Sequence, residues 1–257
     1  MTDIRSTIIE ALHESGNIIR SNFGQNIQAE YKGEIDIVTA IDKKCEETII
    51  SIIKKKFPNH SILAEESGKD TQTENYSWII DPIDGTTNFF HSFPVVCTSI
   101  AVAHKNEIIL GGIYDPLRDE LFFAEKGKGA VMNGQPIKVS QTEKLDKSLL
   151  ATGFAYDRRQ HADYYLSYFK AFMLKTQGTR RAGAAALDLC YVACGRIDGF
   201  WEFKLKPWDV AAGKLIVEEA GGKISMFNGN TFDLFGNETL ASNSKIHSEM
   251  IEIIQSV

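Results

Sequence analysis

The chain has 257 residues, 28 Lys and Arg against 34 Asp and Glu for a net charge of −6, and 43% hydrophobic residues. That length predicts one large domain or two intimately packed halves, with a core that needs neither disulfides nor metals to form. The 24% charged and 10% aromatic fractions speak against disorder, and the acidic balance speaks against a nucleic-acid-coating role, which calls for a basic face.

Apolar residues at Ile4, Ile8, Leu12, Ile19 and Phe23 repeat near helical spacing and stop at Gly24. Before them, Met1-Thr-Asp-Ile-Arg has no basic region leading into an apolar run, and no stretch approaches the ~20 residues that span a bilayer. A second helix is expected from Thr39, turning Ile41, Cys45, Ile49, Ile52 and Ile53 inward and ending at Phe57-Pro58. Thr39 and Asp42 have the spacing of a capping arrangement, and Lys54-Lys55-Lys56 suits a solvated helix end. Short buried strands follow at 61–64 and 77–80, each running into carboxylates, with Pro82 expected to stop the second. Residues 95–139 alternate apolar runs with turns, the pattern of an antiparallel meander. Beyond 145, strands at 149–153 and 199–202 alternate with helices at 162–174, 184–194 and 211–220, and a last helix runs over 247–254. Cys45, Cys97, Cys190 and Cys194 read as free thiols, so a cytoplasmic protein is expected.

The richest stretch is Trp78-Ile-Ile-Asp81-Pro82-Ile83-Asp84-Gly85-Thr86-Thr87-Asn88. Two carboxylates three apart on a tight loop, with the Ile83 carbonyl between them, can converge on one hard cation such as Mg²⁺. Gly85 permits the turn, and Thr86 onward can open a helix whose free amides face an anion. An Asp-Pro turn followed by an Asx cap is the plainer account of the same residues. Ile62-Leu-Ala-Glu65-Glu66 and Trp208-Asp209 bring further carboxylates, the latter equally at home as a helix cap. Gathered acids repel one another unless a cation holds them.

Taken in order, Glu65-Glu66, Asp81-Pro-Ile-Asp84-Gly-Thr86 and Trp208-Asp209-Val-Ala-Ala-Gly213 resemble the inositol monophosphatase family of Mg²⁺-dependent, lithium-sensitive sugar phosphatases, over nearly the whole chain. Lys32 and Asp36 through Asp42 are similar to a family loop and the helix behind it. Arg180 through Asp188 and Phe200 through Asp209 resemble its bacterial branch. The resemblance implies a layered αβαβα sandwich of the inositol monophosphatase and fructose-1,6-bisphosphatase type. It implies a single domain over 1–257, with the metal loops and antiparallel sheet in 1–144 and an α/β half in 145–257, usually as a homodimer. It further implies one Mg²⁺ on Glu65, Asp81 and the Ile83 carbonyl, a second on Asp81, Asp84 and Asp209, and a weaker third near Glu65. Glu65 and Thr86, backed by Asp42, would activate the attacking water with the metal. Asp84, Gly85, Thr86, Arg180, Gly183, Ala185, Glu202 and Asp209 would contact a small phosphorylated polyol, sugar or nucleotide, inositol 1-phosphate foremost. Ala184 stands where many inositol phosphatases carry a hydroxyl residue.

Two other readings compete. A haloacid-dehalogenase-type phosphatase needs Asp-x-Asp, but Asp81 and Asp84 are three apart with Ile83 in the intervening acid's place. A non-catalytic relative that binds the transcription machinery would keep the fold without its chemistry.

Overall fold

The computed structural model describes residues 2–26, 28–31, 37–70 and 75–257. Lys32 and Asp36 lie outside the described residues. Helix α1 (Thr2–Asn22) precedes a small hairpin of β1 (Ala29–Tyr31) and β2 (Ile37–Thr39), then α2 (Ala40–Lys56). Next come β3 (Ser61–Ala64), β4 (Gly68–Asp70), β5 (Tyr76–Asp84) and the short α3 (Thr86–Phe90). The meander is β6 (Cys97–His104), β7 (Glu107–Asp115), β8 (Glu120–Glu125), β9 (Ala130–Met132) and β10 (Gln135–Pro136). The second half holds β11 (Leu149–Thr152), α4 (Ala162–Met173), β12 (Gly178–Arg180), α5 (Ala185–Ala193) and β13 (Gly199–Phe203). It closes with α6 (Pro207–Glu219), β14 (Lys223–Ser225), β15 (Glu238–Ser242) and α7 (His247–Gln255).

The large sheet has the order β10-β9-β8-β7-β6-β5-β3-β4, and the small sheet β12-β11-β13-β15-β14. Successive side chains on a strand point to opposite faces, and β5 shows the consequence. Trp78 and Ile80 join Ile8 and Leu12 of α1 and Ile49 and Ile53 of α2 in one core. Ile79 turns the other way, into a core shared with Leu187 of α5, Ile216 of α6 and Phe200 of the small sheet. Leu150, Trp201 and Leu240, on the far face of the small sheet, pack on Phe172 of α4 and Met250 of α7. The layers therefore run helix, sheet, helix, sheet, helix, the expected αβαβα sandwich.

Two boundaries differ from expectation. Strand β5 continues through Pro82 to Asp84 instead of stopping at the proline. Its register against β6 shifts between Asp81, opposite Ser99, and Asp84, opposite Cys97. Within that shift Pro82 has no amide to leave unpaired, and its carbonyl accepts from Thr98 Oγ1 at 2.9 Å. Helix α6 starts at Pro207, four residues before the apolar run that signals it, because proline is well suited to the first helical turn. Asp209 is thus the third helical residue, not the cap; its Oδ2 accepts the Lys206 amide at 2.6 Å.

Candidate active site

Asp81 lies two residues beyond Ile79 on β5, and the Asp84–Gly85 turn follows directly. Gly85 has φ of 93°, a left-handed conformation that glycine adopts without strain. A Cβ there would lie 2.8 Å from the Val95 carbonyl oxygen, so the site needs glycine on two grounds. The turn delivers Thr86 to the start of α3, where the first amides have no intrahelical acceptor.

Thr86 Oγ1 lies 2.7 Å from Asp42 Oδ1 and 3.0 Å from the Ile83 carbonyl, with one proton to give. Asp42 Oδ2 meanwhile accepts from the Thr39 amide at 2.8 Å and the Thr39 hydroxyl at 2.6 Å. The capping box and the contact to the threonine loop are therefore two uses of one carboxylate. Burial raises the Asp42 carboxyl above its ordinary range, against the pull of these hydrogen bonds.

Glu65 follows β3, which runs parallel to β5, and its amide donates to the Ile80 carbonyl at 3.2 Å. One turn along α2 from Asp42, the carboxylate of Glu46 takes the amides of Glu66 and Ser67, each at 2.8 Å. Neither Glu46 nor this clamp is visible in the sequence, where Cys45-Glu46-Glu47 looks like an ordinary helix segment.

The second half supplies the opposite wall. Asp84 Oδ2 accepts the Ala186 amide at 2.7 Å in the first turn of α5, joining positions 102 residues apart. Asn88 Nδ2 reaches the Ala182 carbonyl at 2.9 Å and the Gly183 carbonyl at 3.2 Å, tying α3 to the α5 approach. Glu202 on β13 lies against Gly153, where any Cβ would collide with its carboxylate. Arg180 turns its guanidinium back to the Thr179 carbonyl at 3.3 Å, while the charge of the neighbouring Arg181 acts on Glu202 and on buried Asp188. Arg181 and Asp188 fall inside the stretch that resembles the bacterial branch, but the action of Arg181 on Asp188 and Glu202 was not legible in the sequence.

The electrostatics join both halves. Burial first, then the charges of Glu65, Asp84, Asp209 and Asp42, hold the Asp81 carboxyl well above the ordinary carboxylate range. Asp84 is pushed up to about 7 by burial, with the Ala186 amide opposing and Glu65 adding to it. Glu202 is pushed up to about 8 by burial, with Arg181 opposing and Asp209 and Asp84 adding to it. Asp81 Oδ1 is buried with no hydrogen-bond partner among the described residues.

That orphaned oxygen, within reach of four other acids' charge, suits a hard divalent cation, since the donors are all oxygens. Among the described residues no three His, Cys, Asp or Glu side chains form a ready-made metal group. Asp84 and Asp209 each commit one oxygen to a backbone amide instead. The set fits Mg²⁺ in chemistry and charge. Among the described residues no helix is long and apolar enough to cross a membrane.

Residues 1–257 match the model of the inositol monophosphatase family. The inositol-1-monophosphatase of Synechocystis sp. is 48% identical over 247 residues, 95% of this chain and 86% of that one. The Nus factor SuhB of Escherichia coli is 42% identical over 246 residues, 95% of this chain and 92% of that one. The crystal structure of the extragenic suppressor protein suhB from Bartonella henselae superposes with a TM-score of 0.95 at 36% identity, covering 98% of both chains. An IMPase/NADP phosphatase complexed with Mg²⁺ and phosphate superposes with a TM-score of 0.85 at 27% identity, over 98% of this chain and 95% of that one.

Proposed function

This chain belongs to the inositol monophosphatase family and is a phosphomonoesterase, and we propose that its substrate is inositol 1-phosphate and its cofactor Mg²⁺. The observation that carries the metal reading is Asp81, buried, with Oδ1 unpartnered among the described residues and four further carboxylates acting on it. Glu65, Asp81 and the Ile83 carbonyl would hold one ion; Asp81, Asp84 and Asp209 a second. Bound there, Mg²⁺ would acidify water and offset charge on the oxygens of phosphoryl transfer.

The chain's own groups then have separate tasks. Thr86, with its one proton committed to Asp42 or Ile83, presents its remaining lone pairs to the attacking water. Glu65 takes the proton that this water gives up. The amides at the start of α3 face the phosphate oxygens. Asp84, attached to α5, sets the distance between the phosphate end of the cleft and Glu202, whose carboxyl would meet a hydroxyl of the polyol. Gly183 and Ala185 frame the same end of the cleft, and the 27%-identical phosphatase holds Mg²⁺ together with phosphate.

Initial rates with and without Mg²⁺ on inositol 1-phosphate, fructose 1,6-bisphosphate and NADP test both parts. Preference for inositol 1-phosphate supports the proposal; preference for another ester replaces the substrate, and turnover in excess chelator removes the metal. Millimolar Li⁺ should inhibit. An ester made chiral at phosphorus with oxygen isotopes should release phosphate of inverted configuration, as one direct attack by water requires; net retention would mean two displacements through an aspartyl-phosphate and would restore the haloacid-dehalogenase reading.

The Escherichia coli relative named a Nus factor supports a second reading, a role in transcription kept alongside hydrolysis. A variant without turnover that still performs that role would separate the two.

A further inference from the structure

Helix α2 turns two carboxylates toward the cleft, Asp42 and Glu46, four residues apart and so on one face. Asp42 Oδ1 holds the Thr86 hydroxyl at 2.7 Å. Glu46 is 3% exposed and uses both oxygens: Oε2 accepts the Glu66 amide and Oε1 the Ser67 amide, each at 2.8 Å. The Glu66 amide belongs to the peptide bond that leaves Glu65. On the other side, the Glu65 amide is tied to the Ile80 carbonyl of β5. The backbone of Glu65 is therefore fastened before its side chain by the sheet and after it by α2.

We propose that Glu46 is a positioning residue for hydrolysis, setting Glu65 against Thr86 by fastening both to one helix. The proposal rests on the reading of Glu65 and Thr86 as the pair that orients the attacking water. Its physical basis is stiffness. Two consecutive amides on one carboxylate are charge-assisted and geometrically specific, and α2 is a 17-residue helix packed beside α1 on the sheet. A glutamine at 46 offers one oxygen and one NH₂ group, so one of the two amides would face a donor and the turn would have to move. The side chain of Glu65 would keep its chemistry and lose its place.

The experiment is a double-mutant cycle on the Mg²⁺-supplemented enzyme, with kcat and KM measured for wild type, Glu46→Gln, Glu65→Gln and the double variant. Glu46→Gln should lower kcat by about 10–100-fold, as loss of an orienting outer group does, with KM for the ester little changed. In the Glu65→Gln background the same change should add no more than about twofold, the scatter expected between independent sites. Glu46→Asp, which keeps both oxygens on a shorter stem, should fall between wild type and Glu46→Gln. Amide exchange in the metal-free protein supplies the readout apart from activity. The Glu66 and Ser67 amides should exchange faster in Glu46→Gln while the α2 amides keep their protection.

Equal kcat losses in both backgrounds, or unchanged exchange at Glu66 and Ser67, would overturn the proposal. Wild-type kcat in Glu46→Gln beside a crippled Glu65→Gln would overturn it alone. Wild-type kcat in Glu65→Gln would overturn the underlying reading of the site and this proposal with it.

Discussion

Asp81 in the large sheet and His247 beneath the small one are buried to nearly the same degree, 2% and 1% exposed, yet their surroundings are opposite. Both His247 ring nitrogens meet a hydroxyl, Nε2 with Ser225 Oγ and Nδ1 with Ser242 Oγ, each at 2.8 Å. Asp81 keeps Oδ1 without a partner among the described residues and feels four other acids. Burial disfavours the charged form of each: it lowers His247 to about 4 and raises Asp81 well above the carboxylate range. The difference lies in satisfaction. A buried polar group with its partners present holds the fold together, whereas one without them costs stability and is kept for what it binds. Stability and chemistry therefore sit in different layers of this protein and should be separable by mutation.

The largest effects belong to the acidic cluster. Asp84→Asn and Asp209→Asn should each cut kcat/KM with Mg²⁺ on the order of 10²–10³-fold, the loss typical of a group opposing developing charge. Asp81→Asn should lose activity as severely, while the metal-free variant melts at or above the wild-type temperature near pH 7, because a carboxyl disfavoured there by burial and by its acidic neighbours has been removed. A clear fall in that melting temperature would break the contrast with His247. Thr86→Ala should lower kcat by about 10²-fold, toward the small end for positioned acid–base groups, with little change in melting.

His247→Ala should do the reverse. Losing the ring and stranding two hydroxyls should cost about 2–4 kcal/mol by denaturant melting, with kcat/KM unchanged. The pH dependence sharpens this. The unfolded chain takes up a proton at this histidine near 6.5, and the folded protein only near about 4. The contribution of His247 is therefore complete above about 6.5 and is lost as pH falls through about 4. Melting temperature against pH should fall less steeply over that window in His247→Ala than in wild type. The smallest effect is expected at Gly153→Ala, whose Cβ would displace the Glu202 carboxylate; KM for the polyol ester should rise by roughly tenfold, about 1.4 kcal/mol, with melting nearly unchanged.

Much of the site was legible because it is written in contiguous stretches. Asp81 through Thr86 carries its carboxylates, its obligatory glycine and its helix start within six residues. Thr39 and Asp42 announced a cap, and the structure adds Thr86 as a second partner of the same carboxylate. The strand passing through Pro82 was not legible, since a proline inside a strand is acceptable only where a neighbouring register shift absorbs it. What Glu46, Asn88 and Arg181 act on was not legible either, for a related reason. Their importance lies in partners far along the chain, such as the Ala182 carbonyl for Asn88, and no local pattern encodes those partners.

By itself the sequence determined the elements and the chemical character of the cleft. Helical and alternating periodicities, capping residues and turn glycines act over a few residues, so they can be read in a line. Only the tertiary structure decided which ends meet. Asp81 feels the charge of Asp209 because β5 turns its odd face toward α6, and Glu202 feels that of Asp84 because the small sheet lies behind α5. That convergence is a property of stacked layers, set by burying two faces of one sheet at once, and packing of that kind leaves no trace in local spacing.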